Sequence, residues 1–411
     1  MNNINNLLKE YARLAVVIGA NVQKNQLVMV NAPIEAVDFV RMIVEEAYIA
    51  GAKRVMIEWQ DSVSSRLFYE YGTEEALTEM PDFVVDKLKY FIEQGGCAIS
   101  VASPNPDAFK GIDPMKMMMV QQATAPKTKF YSEHMMASRS QWTIVAYPNN
   151  IWAKKVFPGC NKTQAMEKMW EAILSTSRVN EDPCAAWDEH NRVLAEKCNH
   201  LNSLKLKTLH YTSKNGTDLT VGLLPNVLWM GGGEHAQLSR IYFNPNIPSE
   251  ECFTSPKKGV AEGIVYSSKP LSYSGEIIDK FWIRFKDGKA VEWGAEKNAD
   301  LLGKMLTIDE NAGYLGECAL IAYDSPINNT GILFYNTLFD ENASCHLAIG
   351  RGFTNLVEGY ENYTTQELID MGINYSLTHV DFMIGTDDLC IEGETYDGKK
   401  VTIFKDGNWA F

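Results

Sequence analysis

The stretch Thr378-His379-Val380-Asp381-Phe382-Met383-Ile384-Gly385 carries two residues of the kind that do chemistry. Its apolar and β-branched residues, closed by a glycine, predict a strand. Side chains alternate along a strand, so His379 and Asp381, two apart, share a face. An imidazole beside a carboxylate is a pair of ligands for a hard or borderline divalent cation. Two donors do not hold a catalytic ion, so the rest of the chain must supply others. Three further stretches in the second half offer them. Residues 248–256 place Glu250 and Glu251 in a loop bounded by Pro248 and Pro256. Residues 314–322 read as an apolar strand interrupted by Glu317, and residues 341–350 hold His346 among small residues.

Each donor also has a purely structural reading. A loop glutamate is ordinarily solvated, and a histidine among small residues is ordinarily a hydrogen-bonded core residue. His379 and Asp381 would by themselves make a structural hydrogen bond. Glu317 is more telling, because a carboxylate in an apolar strand has to be paired, metal-bound or protonated. No H-E-x-x-H or other compact metal motif is present. The residues therefore indicate a carboxylate-rich metal site and leave the reaction open.

The elements that must position these donors follow two grammars. Residues 4–18 carry apolar side chains at helical spacing, and Leu27-Val28-Met29-Val30 reads as a buried strand. A helix over 36–50, a strand over 54–59, a helix from Asp82 to about residue 94 and strands at 97–101 and 142–146 follow. Strand–helix alternation of this kind implies parallel pairing with helices on both faces. No G-x-G-x-x-G or G-x-x-x-x-G-K-[ST] occurs here, so the layout does not imply a nucleotide site. The run Met115-Lys116-Met117-Met118-Met119 reads as a packed helix with methionine filling gaps. Residues 162–202 look helical, with a break at Asn180-Glu181-Asp182-Pro183. Beyond about residue 203 the period falls to two. Asn215-Gly216, Asp287-Gly288, Asp397-Gly398 and Asp406-Gly407 are hairpin-turn dipeptides. The expected fold class is α/β: a parallel-sheet α/β domain over 1–200, then a strand-rich α+β domain over 201–411 that carries every candidate ligand.

Composition narrows the class of partner. The 411 residues are 45% hydrophobic and 22% charged, which is ordinary for a globular protein. A net charge of −14 argues against nucleic acid or an acidic membrane surface. No run of 18 apolar residues is present, and Met1-Asn2-Asn3-Ile4 does not begin a signal peptide. The eight scattered cysteines form no C-x-x-C and read as reduced thiols, so the cytoplasm is the expected location.

At the donor residues the sequence resembles the thermophilic-metalloprotease family of metalloaminopeptidases, the aminopeptidase T, S and II group. The likeness runs over nearly the whole chain. It includes the opening helix, Trp152-Ala153 with Val156-Phe157-Pro158, and Asn246-Ile247-Pro248-Ser249-Glu250-Glu251. It continues through Leu315-Gly316-Glu317, Glu341-Asn342-Ala343-Ser344-Cys345-His346 and residues 379–385. The resemblance implies a two-metal exopeptidase that removes N-terminal residues with broad preference, with Glu251, Glu317, His346, His379 and Asp381 as ligands. It also implies a homodimer whose active site opens to an internal cavity. Family members commonly carry a tyrosine shortly after the ligand histidine; the matching residue here is Phe353, and Tyr360 lies nearby in sequence.

Three carboxylates and two imidazoles exceed one tetrahedral ion and suit two divalent ions, zinc, cobalt or magnesium, sharing a carboxylate. Glu317 is the expected bridge and Glu250 the expected general base. The expected substrates are peptides with a free N-terminus. A two-metal phosphoesterase would use similar ligands but add basic residues for the phosphate; only Lys257, Lys258 and Arg351 lie close in sequence to the donors. A two-domain solute-binding protein is the non-enzyme alternative.

Overall fold

The computed structural model describes residues 2–105 and 107–411. The chain divides into two compact units, residues 1–189 with 233–248, and residues 190–232 with 249–411.

The first unit is built on a four-stranded parallel sheet: β1 (Leu27–Pro33), β2 (Arg54–Gln60), β3 (Cys97–Ala102) and β4 (Trp142–Ala146), in the order β2-β1-β3-β4. β1 is central, and Leu27, Val28, Met29 and Val30 are all buried, as an apolar run between two helical layers requires. The opening α-helix spans Asn2–Leu14 and continues as a π-helical turn over Ala15–Gly19, so the periodicity over 4–18 covers both. Tyr11 on that helix is fully buried, and its hydroxyl accepts a 2.9 Å bond from Ala146 N at the end of β4. The methionine run lies in the helix Pro114–Met136, but Met115 and Met118 are exposed rather than packed. The helical region after residue 162 breaks as its Asn-Glu-Asp-Pro run implies, into Lys162–Thr176 and Pro183–Leu204.

The second unit opens with the later part of the helix Pro183–Leu204, and its first strands are β5 (Leu206–Thr212) and β6 (Asp218–Leu223). The chain then returns to the first unit through β7 (Glu234–His235) and β8 (Tyr242–Phe243), a short antiparallel pair. After it, Ile144 N donates to Pro245 O at 2.8 Å and Ile247 N to Ile144 O at 3.0 Å, adding parallel pairing along the free edge of β4. The units thus divide after Glu189 rather than at residue 200, and 233–248 belongs with the parallel sheet because it completes that edge.

From residue 249 the second unit continues with β9 (Cys252–Thr254), β10 (Pro256–Tyr266), β11 (Leu271–Tyr273), β12 (Glu276–Lys286), β13 (Lys289–Lys297) and β14 (Leu315–Leu320). Next come β15 (His346–Gly350), β16 (His379–Met383), β17 (Cys390–Thr395), β18 (Lys400–Lys405) and β19 (Asn408–Trp409). A large antiparallel sheet runs β11-β12-β10-β6-β5-β17-β18-β19, with β13 also on β12. A second antiparallel sheet has the order β16-β15-β14-β9. Leu209, Tyr211, Val221, Phe281, Leu320, Leu347 and Phe382 form part of one core shared by the two sheets. The β12–β13 and β18–β19 connections place Asp287-Gly288 and Asp406-Gly407 at positive φ, the backbone that tight hairpins demand.

Candidate metal centre

The sheet β16-β15-β14-β9 brings the sequence candidates together. Glu317 on β14 and Asp381 on β16 both stand opposite Ala348 on the intervening β15. Cross-strand partners share a face, so the two carboxylates flank a methyl group small enough to leave room between them. His346, two residues before Ala348, and His379, two before Asp381, fall on that same face. Glu251 enters from the residue just before β9. The intervening residues Cys318, Leu347 and Phe382 point the other way into the core. Strand alternation therefore explains both the chemistry on one side and the anchoring on the other.

Backbone carbonyls fix both imidazoles. His346 Nδ1 lies 2.8 Å from Glu341 O, and His379 Nδ1 lies 2.7 Å from Arg351 O. A carbonyl only accepts, so each Nδ1 carries a proton and each ring turns its Nε2 inward, as a lone pair whenever that nitrogen is unprotonated. Those lone pairs meet carboxylate oxygens. His379 Nε2 is 3.1 Å from Glu317 Oε2 and 3.2 Å from Asp381 Oδ1. His346 Nε2 is 3.5 Å from Glu251 Oε2 and 4.0 Å from Glu317 Oε1. Asp381 Oδ1 is buried and accepts no well-formed hydrogen bond among the described residues.

Lone pairs facing carboxylates repel unless a proton or a cation lies between them. Burial pushes the His379 imidazole down, but the Asp381 and Glu317 carboxylates outweigh it and hold the ring well above its ordinary value. Burial, followed by the Glu317 and Asp381 charges, holds Glu251 well above the carboxylate range. For Asp381 burial works upward, but His379 pulls more strongly and its carboxyl lies below the usual range. The donor set fits divalent cations. Two groups, Glu251–Glu317–His346 and Glu317–His379–Asp381, each hold their ligand atoms within 4.8 Å of one another. Ligands about 2.0–2.1 Å from a tetrahedral ion stand roughly 3.3 Å apart, close to the contacts seen here. Glu317 belongs to both groups, and its carboxylate offers one oxygen to each imidazole.

The family model described as thermophilic metalloprotease (M29) matches residues 4–409. The chain belongs to this family. It is 45% identical over 412 residues to aminopeptidase AmpS of Bacillus subtilis, covering all of both chains. It is 38% identical over 404 residues to aminopeptidase T of Thermus aquaticus, covering 98% of each. The solved structure of wild-type AmpT from Thermus thermophilus superposes with a TM-score of 0.91 at 37% identity, covering 99% of this chain and all of that one. Membership makes this chain a peptide-bond hydrolase of a metalloprotease family whose named relatives are aminopeptidases.

Glu250 joins neither donor group. Successive side chains of an extended segment alternate, so the residue beside Glu251 turns elsewhere. Its carboxylate lies 3.9 Å from His190 Nε2, and its backbone N–H donates to Asn342 Oδ1 at 2.8 Å. Phe353 is in the site: its ring centre is 5.1 Å from that of His379 and 5.5 Å from that of Phe253. Tyr360 packs instead against the cluster of Leu224, Val357, Leu368 and Ile373.

Glu341 is the residue that sequence reasoning missed. It lines a small cavity together with Asp381, and burial, then the charges of Asp381, Glu251 and Glu317, push its carboxyl well above the usual range. The available signal was a carboxylate at the head of the short turn that leads into His346.

Proposed function

We propose that this chain is a two-metal aminopeptidase that releases the N-terminal residue of peptides. Glu251, Glu317 and His346 hold one divalent ion (zinc, cobalt or magnesium), and Glu317, His379 and Asp381 hold the other. The observation that carries this reading is the pair of inward Nε2 lone pairs set against three carboxylates, with Glu317 common to both sets. When bound, such ions supply Lewis acidity that lowers the pKa of a water and polarises the scissile carbonyl.

The chain's own residues do the rest. The carbonyls of Glu341 and Arg351 keep both imidazoles in the tautomer that ligates, which is how outer partners ordinarily tune a metal site. The Phe353 ring against His379 limits the motion of that ring and keeps water from its face. It offers no hydroxyl to a developing oxyanion. An excess of carboxylate suits a substrate whose reading frame is set by a positively charged α-amine, and holding that amine fixes the first peptide bond near the reacting groups.

A phosphoesterase would need free cations at the site. Arg351 Nε already donates to Ser376 O at 3.1 Å and its guanidinium lies over the Tyr375 ring, while Lys258 Nζ donates to Asn311 Oδ1 at 2.6 Å. Those engagements favour the peptidase. Among the described residues no helix is long and apolar enough to cross a membrane. A cytoplasmic homodimer acting on peptides completes the proposal, on the family likeness and the reduced thiols. The test is hydrolysis of aminoacyl p-nitroanilides with and without a chelator. Activity should vanish with the chelator and return with a divalent ion; undiminished turnover by metal-free protein refutes the proposal.

A further inference from the structure

The sheet that carries the metal donors has one closed edge and one open edge. At the closed side β9 exchanges main-chain hydrogen bonds with Met230: Met230 N donates to Phe253 O at 3.0 Å and Phe253 N to Met230 O at 2.8 Å. At the other side, β16 pairs among the described residues with β15 alone. Arg351 N donates to Thr378 O at 2.7 Å and Ile384 N to Cys345 O at 2.8 Å, so the even-numbered residues from 378 to 384 turn their main-chain groups toward β15. Main-chain groups alternate sides along an antiparallel strand. His379, Asp381 and Met383 therefore turn their N–H and C=O outward, to the edge.

Two of these three residues are candidate ligands, so the open edge is continuous with the metal centre. No other described residue bonds the outward main-chain groups of His379 and Asp381. The His379 side chain is 27% exposed, so solvent reaches this end of the strand. The edge closes at the other end, where Ser268 N donates to Met383 O at 2.8 Å. Beside that stop lies the small cavity lined by Asp381, Met383, Leu271 and Tyr335. In the opposite direction Leu377 is 83% exposed. A chain laid along β16 thus meets two main-chain partners, an end wall and an open exit. An unpaired edge is a template for an extended chain, and main-chain hydrogen bonds give such binding its affinity.

We propose that β16 receives the peptide substrate as an added antiparallel strand, its N-terminal residue at the Asp381 end and its later residues running out past His379. The stop at Ser268 admits a chain end and not a chain that continues in both directions. Asp381 and His379 are two apart, so they bond substrate residues two apart, and the residue between turns its main-chain groups away. Recognition through the main chain defines the substrate class as extended peptides of about four residues or more, accepted with little regard to side chain. The assignment rests on the aminopeptidase reading above.

The test is a backbone scan of one pentapeptide amide with metal-loaded wild-type enzyme, following release of the first residue. The nitrogen of residue 3 or of residue 4 is methylated, or replaced by an ester oxygen, which removes the N–H without added bulk. One of the two positions should lower kcat/KM about tenfold, as one lost hydrogen bond predicts, and the other should stay within about threefold. In hydrogen exchange, a pentapeptide amide whose first bond is reduced to CH2–NH should slow the amides of residues 379–381 at least about tenfold. Equal tolerance at residues 3 and 4, or equal loss, overturns the added strand. Edge amides that are already slow without peptide, and slower as enzyme concentration rises, assign the edge to a second copy of this chain and overturn it too. If the wild type itself shows no chelator-sensitive release of the N-terminal residue, it is the underlying reading that fails; an active wild type without the alternation sinks only the added strand.

Discussion

Glu317→Gln is the sharpest probe of the site, because Glu317 is the one donor common to both groups. The amide is nearly isosteric, and β14 is buried along its whole length, so the strand should keep its place. What changes is one negative charge at a point 3.1 Å from His379 Nε2 and 4.0 Å from His346 Nε2. A unit-charge pair 4 Å apart is worth about 4 kcal/mol at an effective dielectric constant of 20. Against divalent ions that is a lower figure, so affinity should fall at least about a thousandfold. Both ions should be affected. Glu251→Gln and Asp381→Asn, each confined to one group, should weaken one. The assay is elemental analysis after dialysis against a metal buffer, with circular dichroism to confirm the fold and kcat/KM on a free peptide. Glu317→Gln should retain little of either ion and lose nearly all activity. A variant that keeps both ions and stays within about tenfold of wild type, roughly 1.4 kcal/mol of barrier, refutes the shared role.

Three other outcomes follow from the same geometry. A peptide with a free α-amine should be cut at its first bond and its C-amidated form equally well, while the N-acetylated form should be a very poor substrate; comparable cleavage of the acetylated peptide, or an internal first product, excludes an aminopeptidase. His379 is held protonated well above its ordinary value, so this proton stabilises the metal-free fold at low pH and that contribution is lost as pH rises through the raised value. Metal binding must displace the proton, so calorimetry at pH 7 in buffers of different ionisation enthalpy should count about one proton or more released, with affinity rising with pH; no proton release contradicts the assigned charge state. Gly350 has φ +96° and pairs with His379, and a Cβ there would stand 2.1 Å from Thr378 O. Gly350→Ala should therefore cost about 2 kcal/mol or more in urea unfolding and weaken metal binding; a loss under about 0.5 kcal/mol would show that β15 and β16 tolerate separation there.

The second-half donors were legible because strand periodicity is a local signal. His379 and Asp381 two apart, and Glu317 alone in an apolar run, announce a polar face on a buried sheet before any partner is known. The order β16-β15-β14-β9 was not legible, because it is set by pairings between residues far apart in sequence, such as Leu320 with Cys252 and His346 with Met383. For the same reason the row Glu317–Ala348–Asp381 emerges only from register. Glu250 and Glu251 look alike in sequence, and only the direction of an extended backbone separates them. Glu341 escaped because it lies in a 3₁₀ turn, where no period marks a face. In the first half the alternating strands and helices signalled a parallel sheet, and four parallel strands are present. Nothing local in residues 233–248 indicated that they pair with β4.

That late-arriving segment matters for how the protein is made. Synthesis delivers residues 1–189 first, then a piece of the second unit, and only afterwards the stretch that completes the first. Until residue 247 emerges, Ile144 lacks the partners it has in Pro245 and Ile247, and β4 presents an open parallel edge. Phe243 and Ile247, both fully buried in the finished protein, are likewise missing from the nascent unit. An unpaired edge over an unfilled apolar surface is the kind of intermediate that seeks other chains. The first unit is therefore not a fragment that closes on its own behind the ribosome. Its completion waits on residues encoded after the second unit has already begun, so the two halves of this chain mature together.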